Sequence, residues 1–70
     1  MLKLYDVVRL RYDRDDLGIR STFLGSVIDV LGNSEAYTVE FVDSTGETIE
    51  ESIFTHFSES DLVLASIKTA

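Results

Sequence analysis

The chain has 70 residues, 44% of them hydrophobic, with no cysteine and no proline. That length holds one small domain and excludes a multidomain enzyme, and the apolar share excludes an intrinsically disordered segment. Without thiols there is no disulfide framework, no thiolate metal site and no cysteine nucleophile; six bases against thirteen acids give a net charge of −7, a field that repels phosphate backbones.

By area scaling, folding buries roughly 60% of the extended chain's surface, and the hydrophobic gain and the chain-entropy cost each come to about 100 kcal/mol. The expectation is a single domain over residues 1–70, with its core at about 4–65 and little stability in reserve. A small domain without staples fits a reducing compartment. The N-terminal stretch from Met1 to Asp6 lacks a signal peptide's apolar region, and no apolar run approaches a membrane span. A cytoplasmic protein with no membrane association is expected.

Asp6 to Tyr12 alternates, placing Val8, Leu10 and Tyr12 on one face of a strand and Arg9 and Arg11 on the other. The arginines are expected to cover the outer face and pair with carboxylates such as Glu40 or Asp29. Asp13 to Gly18 is polar and ends in glycine, which predicts a loop. Phe23 to Leu31 is a longer β-branched run, and Gly25 inside it predicts a bulge or sharp bend. Gly32 to Glu35 is a turn. Tyr37 to Val42 alternates cleanly, with Tyr37, Val39 and Phe41 inward and Thr38 and Glu40 outward. Asp43-Ser44-Thr45-Gly46 has the chemistry of a hairpin turn with glycine in the left-handed region.

Thr48 to Thr55 reads as a weaker fourth strand, because Ile49, Glu51 and Ile53 share a parity. Either Glu51 sits at a barrel edge or a bulge shifts the register. Phe54 is expected inward with Tyr37 and Phe41. Ser58-Glu59-Ser60-Asp61 matches a capping box. It starts either a helix over 59–67 or, as favoured here, one 3₁₀ turn feeding a last strand at Leu62 to Leu64. Five short strands at this spacing predict an all-β fold, a small five-stranded barrel.

Charge is segregated. Residues 1–20 hold five bases and four acids, while residues 21–70 hold Lys68 as the only base against nine acids. The second half therefore offers a face for a basic partner.

Leu4-Tyr5-Asp6-Val7-Val8, then Gly25-Ser26-Val27-Ile28-Asp29-Val30-Leu31, then Ala36 to Asp43 followed by Gly46 together resemble a small bacterial family of unknown function, well represented in cyanobacteria. The resemblance covers about residues 4–64, and its AYTVEFVD segment is the more specific part. It implies an SH3-like barrel and brings no activity. Similar barrels act as docking subunits in electron-transfer complexes and as immunity or antitoxin partners.

The four glycines are scattered one per turn, so no phosphate-cradling loop forms. An EF-hand loop starting at Asp13 would put Leu17 and Leu24 where oxygen ligands are required. His56 is the single histidine and cannot assemble a zinc site alone. No cofactor, no metal and no enzyme activity are expected.

The leading expectation is a non-catalytic protein-binding module whose acidic face docks a basic protein. An immunity or antitoxin protein that neutralises a toxin is the alternative. Nucleic-acid binding is less favoured because the four arginines of residues 9–20 are offset by acids. Candidate partner-binding residues are Tyr5, Tyr12 and Phe23, which flank the 13–22 loop where SH3 domains place ligand-binding aromatics, together with Glu40, Glu50 and Glu51. An exposed edge strand also makes a homodimer possible.

Overall fold

The computed structural model describes residues 1–65. It contains strands β1 (Val7–Leu10), β2 (Gly25–Leu31) and β3 (Ala36–Phe41), a single-turn helix α1 (Glu50–Ile53), a 3₁₀ turn (Glu59–Asp61) and strand β4 (Leu62–Leu64). The strands form one antiparallel sheet in the order β3-β2-β1-β4.

Alternation sets the faces. In β1, Val8 and Leu10 are buried and Arg9 is exposed. In β3, Tyr37, Val39 and Phe41 are all fully buried, as their parity predicts. The core adds Ile19, which enters from the 13–22 loop, Leu2 from the N-terminus, and Val27, Phe57 and Leu62. The loop is pinned by a two-hydrogen-bond bridge between Arg14 and Ile19. β1 stops at Leu10 because the chain turns into this loop, so Tyr12 leaves the sheet and is 77% exposed, against its expected inward parity.

Gly25 is not a bulge. An added Cβ there would lie 2.6 Å from Val39 Cγ1 and 2.7 Å from Phe41 Cδ1, so the residue is a close-packing position under two core side chains. The irregularity of β2 comes three residues later, where the register against β3 shifts between Val27 and Asp29. Gly46 does occupy the left-handed region, at φ 91°, closing the turn after β3.

The expected strand over 48–55 does not form. Thr48 makes one bridge to Val42, and the Ile49 N–H donates to the Phe41 carbonyl at 2.8 Å. The chain then turns into α1. The reason is Ser52, which is fully buried: its Oγ accepts from the Phe41 N–H at 3.0 Å and donates to the Ile49 carbonyl at 2.7 Å. A side chain thus fills the edge position that a fifth strand would have taken. Ile49 and Ile53 stand four residues apart and are both half-buried, which is a helical spacing. Glu51 therefore sits exposed in the first helical turn, neither at a barrel edge nor in a bulge, and Phe54 points outward at 84% exposure.

Past α1 the chain returns to the sheet at one point. The Tyr37 N–H donates to the Phe57 carbonyl at 2.7 Å and the Phe57 N–H donates to the Tyr37 carbonyl at 2.9 Å. The Phe57 ring packs edge-on against Phe41 with centroids 5.6 Å apart. Ser58 then starts the 3₁₀ turn, its N–H bonded to the Asp61 carboxylate at 3.0 Å, and β4 follows directly. The short turn before a last strand is present; residues 66–67 of the longer helical option, and Lys68, lie outside the described residues. The fold is all-β, but the sheet has four strands and stays open, correcting the five-stranded barrel. The edge of β3 away from β2 is met by isolated contacts, the Tyr37–Phe57 and Val42–Thr48 bridges, the Ile49 N–H and the Ser52 hydroxyl, instead of a full strand.

Candidate functional site

The outer face of the sheet carries two adjoining depressions of about 240 Å³ each. One is lined by Thr22, Phe23, Leu24, Val42, Asp43 and Ser44. The other is lined by Val7, Leu24, Gly25, Ser26, Glu40 and Val42. Leu24 and Val42 belong to both, joined by a hydrogen bond from the Val42 N–H to the Leu24 carbonyl at 3.0 Å. Leu24 is 48% exposed, and Phe23 is half-buried against the core. The result is an apolar groove whose charged side chains are carboxylates.

Those carboxylates are held by the hairpin after β3. Asp43 Oδ1 accepts from the Thr45 N–H at 2.8 Å, the Thr45 hydroxyl at 2.6 Å and the Glu47 N–H at 3.0 Å. The Thr45 hydroxyl bond, then the turn amides, hold the Asp43 carboxyl below its ordinary range. Glu40, facing outward from β3, accepts from the Thr48 hydroxyl at 3.0 Å. The groove thus sets two hydrogen-bonded carboxylates beside apolar side chains.

The six candidate residues are only partly brought together. Phe23 and Glu40 line the two halves of the groove. Tyr12 lines a separate, smaller depression of about 90 Å³ with Leu10, Arg14 and Asp61. Tyr5 is 76% exposed in the N-terminal turn, with its backbone in the left-handed region at φ 71° and its N–H on the Val27 carbonyl at 2.7 Å. Glu50 and Glu51 project from the first turn of α1, both exposed. Leu24 and Val42 were missed by the sequence reading. Their signal is that β2 and β3 are flanked by apolar residues at the outward parity, where polar ones are the rule.

The arginines differ from expectation. Among the described residues neither Arg9 nor Arg11 has a carboxylate within ion-pair distance, so the expected pairs with Glu40 or Asp29 are not made. The arginines that do pair are in the loop: Arg14 with Asp16 at 3.0 Å and Arg20 with Asp13 at 3.6 Å. The Asp16 bond lifts Arg14 above its usual range, and the same bond holds Asp16 low. Asp13 is held low chiefly by the Ser21 N–H at 2.7 Å. These aspartates are thus engaged by the loop's own donors, and among the described residues no three metal-ligating side chains converge. His56 is exposed. No helix among the described residues is long and apolar enough to cross a membrane.

No curated protein and no solved structure matches the chain. The family described as domain of unknown function DUF4926 matches residues 4–55, which takes in β1 to β3, the Asp43 turn and α1. With that match running over most of its length and all of the groove, the chain belongs to the DUF4926 family.

Proposed function

We propose that the chain is a non-catalytic protein-binding module that docks a basic protein partner on its acidic side. The observation that carries this reading is the charge pattern: all nine charged side chains from residue 21 to residue 65 are acids. Two of them, Glu40 and Asp43, border the apolar groove of Phe23, Leu24 and Val42. Apolar area supplies affinity there, and the surrounding field selects a cationic partner and speeds its approach. The architecture proposed for this module is a reduced SH3-like one. In favour of it are the meander of β1 to β3 and the 3₁₀ turn between the Phe57 bridge and β4.

The test is retention of partners from lysate, eluted with stepped salt and identified. The expected material is a basic protein released by raising ionic strength, with its association slowed about tenfold by E40Q/E50Q/E51Q. Retention of nucleic acid in its place would overturn the reading. Relief of a toxin's activity by the module, with the toxin encoded beside it, would narrow the same reading to an immunity or antitoxin role.

A further inference from the structure

We propose a second site, which shares only Thr22 with the groove: an anion pocket for a single phosphoryl group, formed where β1 meets β4 and the 13–22 loop. A depression of about 240 Å³ there is lined by Arg9, Leu10, Arg11, Ser21, Thr22 and Val63. No acid lines it, in a chain with thirteen acids. Arg9 lies on β1, Arg11 is the first residue past its end, held by its N–H on the Asp61 carbonyl at 2.8 Å, and both line the depression. They are the two arginines without a carboxylate partner among the described residues, whereas both loop arginines have one.

Arg11 is oriented in advance. Its Nε donates to the Ser60 carbonyl at 3.0 Å and its Nη2 to the Leu62 carbonyl at 3.4 Å. Neutral carbonyls fix the guanidinium without cancelling its charge, and its Nη1 donors remain for a ligand. Arg9 faces Val63 directly across the β1–β4 pair and brings a whole guanidinium. Of the acids on the framing segments, Asp13 is taken by Ser21 and Arg20, Asp16 by Arg14 and Asp61 by Ser58, and Asp15 does not line the depression.

Donor count decides the ligand class. Two guanidinium groups and the Thr22 hydroxyl offer more N–H and O–H donors than the two oxygens of a carboxylate use well. A tetrahedral phosphoryl group, with three terminal oxygens, accepts them from several directions. The chain's net charge of −7 opposes an extended polyanion, but its field is largely screened beyond about 8–10 Å at physiological salt. A compact dianion therefore fits where a nucleic-acid backbone does not, and this site stands whether or not the acidic face docks a protein.

The experiment is an NMR titration of the whole chain with inorganic phosphate, against chloride at matched ionic strength and against acetate. Saturable shifts are expected at the Arg9 and Arg11 Nε–H and at the Ser21 and Thr22 amides, with half-saturation below about 10 mM. Arg9→Ala, at an exposed position, is expected to weaken binding about tenfold or more while leaving the remaining spectrum superimposable. Thr22→Val tests the hydroxyl without touching charge and should weaken binding by a smaller factor. Shifts that rise linearly, that chloride reproduces, or that survive Arg9→Ala undiminished would overturn the site. Acetate binding as tightly as phosphate would overturn the phosphoryl assignment.

Discussion

Gly25 packs where even a methyl group is too large. The Val39 and Phe41 contacts that a Cβ would make lie well inside van der Waals distance, and both partners are fully buried. Gly25→Ala is expected to destabilise the fold by about 1–3 kcal/mol, read from denaturant midpoints. The residue type was visible in the sequence, and its purpose was not. A glycine in a strand marks a bulge or a close approach, and only the neighbouring strand distinguishes them. The Asp43 turn, by contrast, was readable as a turn with Gly46 in the left-handed region, because its donors and acceptors lie within five residues. Its folded carboxyl is held low, so the stability it contributes is complete above the ordinary value of about 3.9. It is lost as pH falls through the depressed value. Below about pH 4 the Thr45 and Glu47 amide shifts should therefore follow Asp43 protonation, and Asp43→Asn should flatten that response.

At the scale of elements, β1 and β3 were correctly expected because one face is buried and period-2 alternation reports that directly. The segment 48–55 was misread because a lone buried hydroxyl overrode the pattern. Ser52 completes the Phe41 edge and the Ile49 carbonyl together, so one helical turn satisfies the backbone as a strand would have. Ser52→Ala orphans a buried N–H and is expected to cost about 1–3 kcal/mol. Phe54→Ala, two residues on at an exposed position, should stay within about 0.5 kcal/mol. Equal effects at the two positions, in the same unfolding experiment, would show that the segment packs as a strand after all. The six proposed partner residues were chosen by nearness in sequence to one loop and by charge. Their division among the groove, the Tyr12 depression, the N-terminal turn and α1 comes from how β2 and β3 carry the chain away from that loop.

Across the whole molecule, charge is segregated along the chain: residues 1–20 set five bases among four acids, on the N-terminal segment, β1 and its loop. The nine charged side chains of residues 21–65 are all acids, on β2, β3, α1, the 3₁₀ turn and the turns between them. Composition and order along the chain determined that segregation, the all-β class and the alternation that buries Val8, Tyr37, Val39 and Phe41, since these depend on residue type and short-range period. Only the tertiary structure decided which arginines are paired, that the sheet remains open at four strands, and that Leu24 and Val42 meet in a groove. Each of these turns on a contact between segments far apart in sequence: Arg11 with Ser60 and Leu62, Ser52 with Phe41, and Leu24 with Val42. No local pattern encodes such contacts, because their partners are chosen by the geometry of the packed sheet and not by neighbours along the chain.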